Sequence, residues 1–79
     1  MIKTIIIEDE KNNQELMVHL LSNYCEGIEV LGVAAELKAA IHLIKEKEPE
    51  LVFLDIEIVG GSGFDVLKAF PDRAFEIII

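Results

Sequence analysis

Four short apolar runs, separated by longer amphipathic segments, constrain the fold of this chain more than any other feature. The runs cover residues 2–7, 28–35, 51–54 and 75–79 and are rich in isoleucine and valine. A run that is apolar at nearly every position is typical of a parallel strand buried on both faces. The order βαβαβαβ therefore predicts an α/β fold with a parallel sheet, right-handed crossovers and helices on both faces.

Three predicted helices connect these strands. Apolar residues recur at helical spacing over residues 12–24 and 36–47, which predicts the first two helices. Asn12 and Glu15 are spaced like a capping box at the start of the first helix. A third, short helix is predicted after Ser62, its expected N-cap. The glycine-rich stretch around Ser62 predicts a flexible loop before that helix: Gly60, Gly61 and Gly63.

Length and charge exclude several classes of function. The chain has 79 residues, enough for one domain, with 7 Lys+Arg against 15 Asp+Glu and a formal net charge of −8. Direct binding to nucleic acid or to an anionic membrane surface is not expected, because both depend on lysine and arginine. The longest uncharged stretch, residues 16–25, is well short of the roughly 20 apolar residues of a membrane span. The single cysteine, Cys25, cannot form an internal disulfide, so we expect a cytoplasmic protein.

Acidic residues follow two of the predicted strands. Glu8 and Asp9 come directly after the first, and Asp55 and Glu57 follow the third. If these strands are neighbours, roughly 4.8 Å apart, their carboxylates converge at the edge where open parallel sheets bind ligands. Like charges this close favour either a protonated acid or a bound cation, and Mg²⁺ suits such oxygen ligands. A carboxylate beside that ion can attack phosphorus, although acids at strand ends are also commonly only solvated.

Three stretches resemble the receiver domain of two-component response regulators. They are residues 5–10 (IIIEDE), 49–57 (PELVFLDIE) and 63–67 (GFDVL), in the order that the family has them. The resemblance implies a flavodoxin-like fold with the strand order 2-1-3-4-5, in which strands one and three are neighbours. The first acidic triplet and the residues FEII at 75–78 are similar to receivers that precede a LytTR-type DNA-binding domain.

The resemblance also implies a role for each acidic residue. Asp55 would be the phosphoacceptor that receives a phosphoryl group from a sensor histidine kinase. Asp9 would bind Mg²⁺ directly, Glu8 would act through metal-bound water, and the backbone carbonyl of Glu57 would complete the protein ligands. The chain would then be a signalling domain rather than an enzyme in its own right.

Several positions depart from the family pattern. Val59 and Ser62 lie where the family often has proline and an aspartate or asparagine. The family also has a serine or threonine after strand four and a lysine after strand five, and both positions fall beyond Ile79. Residues 1–79 are therefore expected to be the N-terminal portion of a receiver domain, in which phosphorylation is slow or absent.

Two other functions remain open at this point. The apolar edge at residues 75–79 favours self-association, so the chain could be an interaction or dimerisation module that is not phosphorylated. A metal-dependent phosphatase that uses Asp55 and Glu57 ranks last, because the remaining catalytic groups of such an enzyme are not visible.

Overall fold

A four-stranded parallel sheet flanked by three helices forms the body of the domain. The computed structural model describes residues Met1–Ile79. Its elements, in chain order, are β1 (Ile2–Ile7), α1 (Lys11–Tyr24), β2 (Ile28–Ala34), α2 (Leu37–Lys47), β3 (Leu51–Leu54), β4 (Glu57–Ile58), β5 (Gly61–Ser62), α3 (Gly63–Ala69) and β6 (Glu76–Ile78).

The strand order of the main sheet is β2-β1-β3-β6, with every neighbouring pair parallel. This order confirms the predicted flavodoxin-like α/β fold and places β1 beside β3. At the carboxyl ends, Ile7 is paired with Ala34 on one side and with Leu54 on the other. The residues that follow β1 and β3 therefore emerge side by side at one edge of the sheet.

The two faces of the sheet bury alternate residues of β1. Ile5 and Ile7 point into the main core on one face, and Ile6, equally buried, points to the other. Helices α2 and α3 cover the main core, and α1 contributes the buried Leu21 outside that cluster. Because β1 is buried on both faces, its run from Ile5 to Ile7 is apolar at every position. The main core consists of Ile5, Ile7, Ala34, Ala40, Ile44, Val52, Leu54, Ile58 and Val66.

Strand β2 contains a glycine because α2 packs closely against it. The pairing with β1 shifts by one residue at this point, so that Thr4 faces Val30 and Ile5 faces Gly32. A β-carbon on Gly32 would lie 2.9 Å from Leu43 Cδ1 of α2. The absence of a side chain at Gly32 therefore leaves room for Leu43 of α2. A glycine at a register shift is also typical of a bulge in a strand.

Two local expectations are wrong. Helix α1 begins at Lys11, with Glu10 as its N-cap, and Asn12 is inside the helix rather than capping it. The glycine-rich loop is partly ordered, since β4 and β5 form a two-residue antiparallel ladder. The chain turns between β4 and β5 at Gly60, whose φ of 83° is easily adopted only by glycine.

None of the three helices combines the length and apolar character needed to cross a membrane.

Candidate metal centre

Three carboxylates converge at the carboxyl ends of β1 and β3. Glu8, Asp9 and Asp55 each offer one oxygen, and these oxygens lie within 4.8 Å of one another. Backbone hydrogen bonds continue the sheet to this point and fix the acids. The Glu8 N–H donates to the Ala34 carbonyl at 2.9 Å, and the Asp55 N–H donates to the Ile7 carbonyl at 2.9 Å. The predicted convergence is thus confirmed for these three residues and is wrong for the Glu57 carboxylate, which is exposed and outside the group.

Two of the carboxylates are oriented by backbone amides two residues further along the chain. The Glu10 N–H donates to Glu8 Oε2 at 3.0 Å. The Glu57 N–H donates to Asp55 Oδ1 at 3.2 Å. Each contact restrains a carboxylate against the loop that follows its own strand, and both carboxylates belong to the converging group.

The cluster contains three acidic groups and no positively charged group that would balance them. Burial raises the pKa of the half-buried Glu8 carboxyl above its ordinary value of 4.5, and the Asp9 and Asp55 carboxylates raise it further. The hydrogen bond from the Glu10 amide lowers this pKa and offsets part of the rise. A proton on Glu8 or a bound cation would relieve the repulsion.

The donor set fits a hard divalent cation. All three groups are carboxylates, with no histidine or cysteine in the cluster, and Mg²⁺ prefers oxygen ligands of this kind. Asp9 is exposed and the other two are half-buried, which leaves room for water at the site. The exposed Glu57 side chain is not part of the cluster, so any contribution from this residue would come from its backbone carbonyl.

Helix α3 supports the loop that carries Asp55. Ser62 is its N-cap, as predicted, and the Ser62 N–H donates to Asp65 Oδ2 at 2.9 Å. The next residue, Gly63, donates its N–H to the Ile56 carbonyl at 2.7 Å. A β-carbon on Gly63 would lie only 2.6 Å from the Asp55 carbonyl oxygen. The start of α3 is therefore in direct contact with the backbone of residues 55 and 56.

An apolar cavity of about 400 Å³ adjoins the carboxylates. Glu8 and Asp55 line it together with residues of β1, α1 and β3 and with the end of the chain from Ile78. Sequence reasoning did not predict this cavity, because its walls come from strands and a helix that are distant along the chain. The apolar lining consists of Ile6, Ile7, Met17, Phe53, Leu54, Ile78 and Ile79.

Neutralising Glu8 is expected to change the pH dependence of stability in metal-free solution. Because the folded state raises the Glu8 pKa, it holds this proton more tightly than the unfolded chain does. Stability should therefore fall as pH rises from 4.5 through the folded-state value, and Glu8→Gln should remove that part of the fall. Urea unfolding in EDTA over this pH range measures the difference.

Glu15→Gln, which removes an exposed carboxylate from α1, controls for the loss of one charge. A stability difference between wild type and Glu8→Gln that stayed constant across the pH range would contradict this account of Glu8.

Fold and site together define a flavodoxin-like α/β domain with an acidic site at the ends of two adjacent parallel strands. Residues 4–79 match the family model described as the response regulator receiver domain. The chain therefore belongs to the response regulator receiver domain family, whose general function is to accept a phosphoryl group in two-component signalling.

Individual relatives agree with this family. The chain is 33% identical over 81 residues to the transcriptional regulatory protein MalR of Bacillus subtilis, covering 100% of this chain and 34% of MalR. It is 28% identical over 68 residues to the sensory transduction protein LytT of the same organism, covering 86% of this chain and 28% of LytT. The LytT match is consistent with the resemblance to LytTR-type regulators.

Solved structures show the same fold. A DNA-binding response regulator of the LuxR family from Staphylococcus aureus superposes with a TM-score of 0.91 at 31% identity, covering 100% of this chain and 67% of that one. The chain spans about a third or less of the length of the curated relatives that it matches.

Proposed function

We propose that this chain is a phosphoaccepting module in which Asp55 receives a phosphoryl group from a sensor histidine kinase. Glu8 and Asp9 hold Mg²⁺ together with Asp55, with Asp9 as a direct ligand, Glu8 acting through water, and the Glu57 backbone carbonyl as a further ligand. The observation that carries the proposal is the convergence of these three carboxylates, whose oxygens lie within 4.8 Å of one another, in a chain that matches the receiver-domain family over residues 4–79.

The transfer replaces one bond to phosphorus with another. An oxygen of the Asp55 carboxylate forms a bond to phosphorus while the bond from phosphorus to the histidine nitrogen of the kinase breaks. The imidazole leaves with that electron pair and takes up a proton from solvent. When bound, Mg²⁺ neutralises the negative charge on the phosphoryl oxygens.

The residues of the chain prepare Asp55 for this attack. The Asp55 N–H is anchored to the Ile7 carbonyl, and its Oδ1 accepts the Glu57 N–H, so the carboxylate has a fixed orientation before a donor arrives. Its partial exposure leaves it accessible to a phosphodonor. The experiment is incubation with acetyl phosphate and Mg²⁺, followed by intact-mass measurement. A gain of one phosphoryl group that EDTA prevents, even a slow one, supports the proposal, and a mass that is unchanged after prolonged incubation contradicts it.

We also propose that residues 1–79 form the N-terminal portion of a cytoplasmic receiver domain, and that its output is transcription regulation. The first part is supported by a sheet of four parallel strands whose last strand, β6, pairs only with β3. The output is suggested by the relative MalR, a transcriptional regulatory protein. The net charge of −8 would repel the phosphate backbone of nucleic acid, so we propose that these residues do not bind it directly.

The open edge of β6 favours a second candidate function, which is self-association without phosphorylation. The outer edge of β6 leaves backbone groups unpaired, and the side chains of Ile78 and Ile79 are 47% and 71% exposed. A second copy of the chain would pair with this edge and cover both isoleucines.

Sedimentation equilibrium is expected to show a dimer whose dissociation is promoted by Ile78→Lys. Asn13→Lys, at an exposed position on α1, adds the same positive charge away from this edge and is the control for the change of charge. A wild-type protein that stays monomeric at high concentration would contradict self-association at this edge.

A further inference from the structure

Gln14 connects helix α1 to the loop that carries Glu8 and Asp9. Its side-chain Nε2 donates to the Glu8 backbone carbonyl at 2.6 Å. Its own backbone N–H donates to the Glu10 carbonyl at 3.0 Å. One half-buried residue thus holds the carbonyl groups at both ends of the turn from β1 into α1.

This contact completes the fixation of Glu8. The Glu8 N–H is already bound by the Ala34 carbonyl of β2, and the Glu8 carboxylate accepts the Glu10 N–H. The Glu8 carbonyl accepts the side-chain amide of Gln14. Because the N–H and the carbonyl of Glu8 are both hydrogen-bonded, the peptide that leads to Asp9 has little rotational freedom.

The contact also explains why α1 begins without the predicted cap. Glu10 is the N-cap but makes no side-chain cap hydrogen bond. The turn is stabilised instead by the Glu8 carboxylate from one side and by the Gln14 amide from the other. The start of the helix and the position of the acidic residues therefore depend on the same contacts.

We propose that Gln14 is a positioning residue for the metal centre, which holds the 8–10 loop so that Glu8 and Asp9 face Asp55 before a cation binds. The inference rests on the proposed metal-binding function of these three acids. Partners that orient ligands from outside the coordination sphere typically change metal affinity about 10- to 100-fold when they are removed.

Gln14→Met tests this role, because methionine has a similar length and helix propensity but no N–H donor. Asn13→Met is the matched control, since Asn13 is the exposed neighbour on α1. Amide hydrogen exchange of the metal-free protein should speed up at Glu10, whose N–H donates to the Glu8 carboxylate, in Gln14→Met alone. Mn²⁺ affinity, measured by electron paramagnetic resonance, should weaken about 10-fold in the same variant.

Gln14→Lys restores a donor on a side chain of similar reach and should bring the exchange at Glu10 back toward the wild-type rate. This rescue is judged by exchange, because the added positive charge itself weakens cation binding. If Gln14→Met binds Mn²⁺ as tightly as Asn13→Met, Gln14 is not a positioning residue. If the wild type binds no Mn²⁺, the proposed metal function fails, and that result is distinct from a failure of Gln14 alone.

Discussion

Asp55→Asn is expected to abolish phosphoryl transfer, lowering its rate by about 10³-fold or more, because the amide lacks the anionic oxygen that attacks phosphorus. Asparagine has nearly the same shape and keeps an oxygen that can accept the Glu57 N–H. It also removes one negative charge from the cluster of three acids. The variant should therefore stay folded in metal-free buffer, so the loss of transfer would report on chemistry rather than on unfolding.

The time course of phosphorylation by acetyl phosphate, followed by intact mass, measures this effect. Asp72→Asn is the control, since it removes an exposed carboxylate outside the cluster and should react like the wild type. If Asp55→Asn accepted a phosphoryl group at the wild-type rate, the nucleophile would be another residue and the proposed role of Asp55 would be wrong.

Gly63→Ala is expected to destabilise the domain by about 2–4 kcal/mol, from overpacking and the loss of one buried hydrogen bond. The added β-carbon would lie 2.6 Å from the Asp55 carbonyl oxygen and 3.2 Å from Ile56 Cα. These are backbone atoms, which cannot rotate away as a side chain can. Either α3 moves and strains the bond from the Gly63 N–H to the Ile56 carbonyl, or residues 55–57 move.

The loss would be a large part of the total stability, which is roughly 4–12 kcal/mol for a domain of this length. Urea unfolding measures it. We also expect slower phosphorylation of the folded fraction, because a movement of residues 55–57 shifts the Asp55 carboxylate.

Gly60→Ala is the matched control for Gly63→Ala. Gly60 has a φ of +83°, and the nearest atom to an added β-carbon is Leu37 Cβ at 4.0 Å. Alanine there meets backbone strain of about 1–2 kcal/mol but no collision. Equal destabilisation by the two substitutions would contradict the steric explanation for Gly63.

The arrangement of β1, β3 and their acids was predictable because it depends on patterns that are strong in sequence. A strand buried on both faces needs successive apolar residues, as Ile5, Ile6 and Ile7 provide, and parallel neighbours bring their carboxyl ends to one edge. Glu8 and Asp55 therefore had to meet once β1 and β3 were neighbours. The resemblance to receiver domains supplied that adjacency, which the apolar pattern alone did not determine.

The parts that were not predicted depend on contacts of one or two residues. The ladder between β4 and β5 has two residues in each strand, too few for a periodic signal. The start of α1 was misplaced because Asn12 and Glu15 have the spacing of a capping box, whereas Gln14 and Glu8 satisfy the backbone at the turn. Such contacts follow from the position of the strand end, which a local pattern does not contain.

The central claim, that Asp55 accepts the phosphoryl group, is tested most directly by locating the modified residue. After reaction with acetyl phosphate and Mg²⁺, reduction with borohydride converts an aspartyl phosphate into homoserine, and peptide mass spectrometry identifies its position. We expect homoserine at position 55 and unmodified acids at positions 8 and 9. Homoserine at any other position, with Asp55 intact, would contradict the claim.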